Sequence, residues 1–214
     1  MESVILLKPE EIYFLGSLLD AKYLDYAYMA AMDDIGTNMV MFRKKVQDGL
    51  VKKGFLIEDF SGNLEVKREL KELLEPVYNG EFETECSILQ KGEDKTAQII
   101  KFHFLNGKIT KVALEDNMLT LKSVTEQDID SIITSLLPQN YDNLELKDGE
   151  NFDKDKAEGI ISIKTCLVGK SSSVDLFALC NDVVYREDDK GQVVPVTASE
   201  FRSKVHSRLS GGDK

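Results

Sequence analysis

The chain has 214 residues, 42% hydrophobic and 30% charged, the composition of a folded globular protein long enough to build its own core. Its 38 acidic and 27 basic residues leave a net charge of −11, which repels a phosphate backbone and argues against nucleic acid as the main partner. The 3 cysteines show no CxxC spacing, so they suggest neither a disulfide framework nor a zinc site, and no apolar run reaches the roughly 18 residues of a membrane span.

The opening MESVILLKPEE has a short apolar run with acidic neighbours where an export signal carries a basic region and a longer apolar core. The expectation is therefore a cytoplasmic protein with reduced thiols and no membrane insertion. Residues 8–19 place Ile12, Leu15 and Leu19 on one helical face behind Pro9 and two glutamates, which suits a helix start. The stretch 23–36, YLDYAYMAAMDDIG, fits neither the helical nor the strand period, and its state stays open. Its tyrosines and methionines read as core packing. Residues 38–53 carry Met39, Phe42, Val46 and Leu50 at helical spacing and end at Gly54. Two short extended pieces around Ser61-Gly62 follow, and then a helix with Val66, Leu70, Leu73, Leu74 and Val77 as its stripe, closed by Pro76 and Gly80.

From 83 to 123 the period becomes that of strands, with four runs separated by Gly92-Glu93-Asp94, Asn106-Gly107 and Asp116-Asn117. These are residue types that tolerate the positive φ of tight turns, so the neighbours are antiparallel. Residues 125–137 form a helix that opens on Thr125 and Asp128 in a capping-box spacing and ends at Pro138. The polar run 139–158 is a connector. Residues 159–210 then repeat the order of strands and closing helix. Superposing Asn106 on Asn181 matches Phe102 with Phe177, Phe104 with Leu179 and Ile109 with Val184. Superposing Thr125 on Thr197 matches Ile129 with Phe201, Ile133 with Val205 and Leu137 with Leu209. The expected fold is α+β, an antiparallel β-sheet flanked by helical bundles, with a pseudo-two-fold duplicated strand block plus helix. It is read as one domain over 1–214, made of an N-terminal helical region over 1–80, a first block 81–138, the connector 139–158 and a second block 159–210.

Chemistry is sparse. His103 lies between Phe102 and Phe104, so alternation with core phenylalanines sends it outward as a surface residue. CLVGKSSS has Lys164 where a phosphate-binding loop needs its first glycine, and a strand pattern follows where a helix should. The acidic connector lacks the ligand order of a calcium loop, and the serines 171–173 have no partner histidine or nucleophile elbow. Cys86, Cys166 and Cys180 read as small core residues of strands. No catalytic residue, metal ligand or cofactor site is expected. The basic segment RKKVQDGLVKKG within 38–78 supports an alternative reading, a winged-helix-like transcriptional regulator.

The succession LKPEEIYFLGSLL, MFRKKVQDGLVKKGFL, LEVKRELKELLEPVY, a strand block and DIDSIITSLLP resembles the EspG-type chaperones of type VII (ESX) secretion systems. The matching positions are Glu11, Ile12 and Leu15; Leu50, Lys53, Gly54 and Phe55; and Leu136, Leu137 and Pro138. The acidic, lysine-rich composition without tryptophan looks more like an accessory member from Firmicute loci. The resemblance implies a non-enzymatic cytosolic chaperone or adaptor that binds a helical secretion substrate before export, with a small WXG-like or LXG-like client more fitting than a PE-PPE pair. A homodimer is a further partner to consider. The turns that close the first hairpin of each block are the candidate client contacts: Lys91, Gly92, Glu93, Asp94 and Lys95 in one, and Val168, Gly169, Lys170, Ser171, Ser172 and Ser173 in the other.

Overall fold

A computed structural model of the chain describes residues 4–32, 38–90, 98–138, 141, 152, 157–167, 172–188 and 192–209. Among them six helices form: α1 (Pro9–Leu18), α2 (Tyr26–Ala30), α3 (Met39–Lys52), α4 (Arg68–Asn79), α5 (Glu126–Ser135) and α6 (Ala198–Leu209). The first strand, β1 (Ile5–Leu7), precedes a separate hairpin of β2 (Leu56–Glu58) and β3 (Leu64–Val66). The remaining strands are β4 (Phe82–Gln90), β5 (Gln98–Leu105), β6 (Lys108–Glu115), β7 (Met118–Ser123), β8 (Gly159–Leu167), β9 (Ser173–Cys180), β10 (Val183–Glu187) and β11 (Val193–Pro195).

β1 and these eight make one nine-stranded antiparallel sheet in the order β1-β7-β6-β5-β4-β8-β9-β10-β11. The fold is α+β, as the alternation and turn chemistry require. Outward from the β4–β8 pair, where Cys86 lies opposite Ile163, the strands read 5, 6, 7 on one side and 9, 10, 11 on the other. The repeated element order is thus visible in the topology. Three two-residue turns have positive φ at both positions: Asn106 49° and Gly107 75°, Asp116 49° and Asn117 58°, Asn181 50° and Asp182 60°. That is the signature of type I′, whose twist matches the flanking strands.

The chain's contacts divide it into two compact units, one of residues 1–81 and 103–123, the other of 82–102 and 124–214. In the first unit, α4 sets Leu70, Leu73, Leu74 and Val77 against Val112 of β6 and Leu119 and Leu121 of β7. Val66, expected in the stripe of this helix, lies in β3, because Lys67 takes an extended conformation as the N-cap and the helix starts after it. Ile12 and Leu15 of α1 and Leu50 of α3 complete this core. The Tyr78 hydroxyl donates to the Ile12 carbonyl at 2.6 Å, and burial pushes the phenol above its ordinary pKa.

His103 corrects the reading of β5. It is fully buried, not outward on the surface. Alternation does separate it from Phe102, but its side of the strand is covered too: α2 brings Tyr28 against it, with Oη 2.8 Å from Nε2. Asp25, whose carboxylate accepts from the Ala27 N–H at 2.8 Å, caps that short helix.

In the second unit, α6 buries Phe201, Val205 and Leu209. Phe201 meets Phe177 of β9 edge-on, with ring centroids 4.8 Å apart. Both closing helices open on a reciprocal capping box. The Thr125 N–H donates to Asp128 at 2.7 Å and the Asp128 N–H to Thr125 Oγ1 at 3.3 Å; the Thr197 N–H donates to Glu200 at 2.8 Å and the Glu200 N–H to Thr197 Oγ1 at 3.2 Å. His206 of α6 lies 2.5 Å from Asp130 of α5. Within 139–158, Tyr141 is anchored, its hydroxyl donating to the Val196 carbonyl at 2.6 Å and accepting from the Val184 N–H at 2.9 Å. Leu144 and Leu146 lie outside the described residues.

Candidate functional site

The second unit has a sheet surface whose two sides differ sharply. In β8, Ile161, Ile163 and Thr165 are buried on the side that α6 covers. On that side the Arg208 carbonyl accepts from the hydroxyls of Thr84 at 3.3 Å and Thr165 at 3.2 Å. The Arg208 guanidinium reaches Asp175 and donates to Ser173 Oγ at 2.6 Å. The alternate residues of the same strands point the other way, as the two-residue period demands.

That other side carries an apolar surface on β4, β8 and β9. Register places Leu89 opposite Ile160 and Ile160 opposite Ala178 in one row, Ser87, Ser162 and Leu176 in the next, and Glu85, Lys164 and Val174 in the third. Leu89, Ile160, Val174 and Leu176 are 43%, 46%, 49% and 61% exposed. An antiparallel sheet normally presents polar side chains on its solvated face, so four large aliphatic residues across three adjacent strands mark a surface prepared for contact. Phe152 borders it at β10, its ring tilted 53° against Tyr185 with centroids 5.3 Å apart, and packs against Cys180 and Val183.

The opposite border is charged. Lys101 of β5 is almost fully buried and lies 3.0 Å from a Glu85 carboxylate oxygen and 3.4 Å from one of Glu83. Removing Lys101 would leave two carboxylates side by side without the ammonium between them, so the lysine holds this cluster together beside the apolar rows. Two thiols flank these rows. Cys86 lies on the side toward α6, where burial, with a contribution from Glu85, pushes its pKa up to about 12, and Cys166 is held above its ordinary value chiefly by burial.

Of the residues the sequence nominated, Lys91, Gly92, Glu93, Asp94, Lys95, Val168, Gly169, Lys170 and Ser171 lie outside the described residues. Ser172 is exposed ahead of β9, and Ser173 is half-buried, its hydroxyl engaged by Arg208. Leu89, Ile160, Val174 and Leu176 were not singled out in the sequence. A signal was present, because GIISI and SVDLFALC carry apolar residues at both strand parities and so predict apolar character on both faces.

The basic segment nominated for the winged-helix reading forms α3, followed by the β2–β3 hairpin and α4. Its Val46 and Leu50 are in the core, while Arg43, Lys44 and Lys45 are exposed. No helix among the described residues is long and apolar enough to cross a membrane.

No protein-family model matches the sequence, and no curated protein matches it. Among solved structures, the fold is similar to the Mycobacterium tuberculosis type VII secretion system chaperone EspG5, in a structure of its complex with the PE25-PPE41 dimer. The TM-score is 0.64 at 8% sequence identity, covering 99% of this chain and 97% of that one. At that identity the likeness speaks for the fold.

Proposed function

We propose that the protein is a non-enzymatic cytoplasmic chaperone or adaptor that binds a helical type VII secretion substrate before export. The observation that carries this reading is the fold likeness, which runs over nearly the full length of both chains, to a chaperone of such a system held in complex with its PE25-PPE41 partner. The apolar rows of Leu89, Ile160, Leu176 and Val174 supply a surface for the apolar tip of a helical client, which is insoluble when bare and covered when bound. The Lys101–Glu83–Glu85 border supplies polar register beside them. The turns at 91–95 and 168–173, which connect β4 to β5 and β8 to β9, are proposed as the rim that distinguishes clients. A small WXG-like or LXG-like helical protein is the client class proposed, and such a protein should be encoded beside its chaperone.

The test is co-expression with the small helical proteins encoded nearby, followed by size-exclusion chromatography. A stable complex in which the client gains solubility supports the reading. Failure to shift any of them, together with retention on DNA that salt releases, would replace it with the winged-helix regulator.

A further inference from the structure

The basic segment of α3 belongs to the first unit. In the unit of residues 1–81 and 103–123, a groove of about 340 Å³ runs between the first turn of α1 and one face of α3. Phe42 and Val46 give it an apolar wall, Gly49 leaves a gap without a side chain, and Lys8, Lys45 and Lys52 stand around it. Residues 42, 45, 46, 49 and 52 follow the helical repeat, so they form one continuous stripe.

The charges in the groove are unevenly used. The buried Glu11 accepts from the Lys8 backbone N–H at 2.8 Å and holds Lys53 at 2.6 Å, so one lysine is neutralised. Among the described residues no ion pair involves Lys8, Lys45 or Lys52, and Glu10 is the other carboxylate lining the groove. In a chain of net charge −11, this is a local concentration of uncompensated positive charge around an apolar trough.

We propose that the groove takes an acidic amphipathic helix of a partner protein. Its apolar residues rest on Phe42 and Val46 and cross closely at Gly49, while its flanking carboxylates meet Lys8, Lys45 and Lys52. An apolar wall and a resident carboxylate suit a peptide better than a polyphosphate, and the overall charge opposes DNA at long range. The inference does not rest on the chaperone reading, because it is tested on this chain alone.

The test measures fluorescence anisotropy of three labelled probes with the full chain: a synthetic helix with leucines along one face and glutamates on the flanks, the same helix with lysines for glutamates, and a DNA duplex. The glutamate helix should bind, more weakly as salt rises, and the other two should not. Reversing Lys45 and Lys52 to glutamate should weaken binding roughly tenfold while thermal stability holds, since both side chains are exposed. Gly49→Leu should abolish binding yet still fold, because a Cβ there meets nothing nearer than Glu11 Oε1 at 3.9 Å. Equal binding of the two helices, preference for the duplex, or less than a roughly twofold effect of the double lysine reversal would overturn the proposal.

Discussion

Replacing Gly80 by alanine tests how tightly the end of α4 is fitted. Its backbone, φ −56° and ψ 153°, is open to any residue, so the constraint is space and not conformation. A Cβ there would lie 2.5 Å from the Pro76 carbonyl oxygen, 2.9 Å from Tyr23 Oη and 3.1 Å from the Phe104 carbonyl oxygen. Two of the three are backbone atoms that cannot swing aside. Relief requires the α4 terminus to move from β5, which stretches the 2.8 Å bond from the Glu81 N–H to the Phe104 carbonyl and the 3.4 Å bond from Tyr23 Oη to the Gly80 carbonyl. Overpacking of this kind costs about 1–3 kcal/mol and a weakened hydrogen bond about 1 more, offset by about 0.4–1 kcal/mol from the stiffer unfolded chain. The net is about 1–3.5 kcal/mol, a fall in Tm of roughly 2–14 °C for a chain of this size. Thermal unfolding followed by circular dichroism reads it directly, with Gly49→Ala as the control that should raise Tm, since that mid-helix glycine has open space around it. A Gly80→Ala protein melting within about 1 °C of the parent would refute the packing described for this corner.

On the apolar sheet surface, full burial of a leucine is worth about 1.5–3 kcal/mol, and Leu176 has 61% of its surface left to bury. Leu176→Thr, which keeps strand propensity, should therefore weaken a client complex about 5- to 20-fold in calorimetric Kd with little change in Tm; unchanged affinity would remove this surface from the interface. Thr197→Ala deletes one capping box and should cost about 1 kcal/mol in denaturant unfolding, with no comparable loss expected for the exposed Ser199→Ala. The Thr197 N–H and hydroxyl hold the Glu200 carboxyl below its ordinary value of 4.5, so the stability it contributes is complete above that value and is lost as pH falls through the lowered folded one. Glu200→Gln should accordingly flatten the acid limb of a Tm-against-pH curve, and an unaltered limb would show that the bond does not govern it. Asp182 has φ 60° in its turn, so Asp182→Gly should stabilise the β9–β10 hairpin by up to about 1 kcal/mol, and a lower Tm would contradict the turn assignment.

The elements of the fold legible in the sequence were those set by local rules. Leu70, Leu73, Leu74 and Val77 could be placed on one helical face because the helical repeat imposes it, and Asn106-Gly107 marked a turn because few residues accept positive φ twice in succession. The repeated order of strands and capped helix was readable for the same reason. His103 was misplaced because alternation says which side of a strand a residue takes, not what covers that side. The cover is Tyr28, on a helix of 5 residues in the stretch whose period was undecided. The apolar surface of β4, β8 and β9 was hidden by the converse difficulty. Ile160 and Leu176 look like core residues of strands until the register puts them on the side away from α6, where they are exposed. The basic stripe of α3 was visible, but the groove it borders depends on the approach of α1 from elsewhere in the chain.

The most direct measurement for the central claim is the mass and composition of the species formed when this chain is co-expressed with the helical proteins encoded beside it. Size-exclusion chromatography with light scattering should find one of them eluting with the chain as a defined complex, soluble only in its company, and released by substitutions at Leu176 and Ile160. A chain that elutes alone beside clients that are soluble without it would contradict the account.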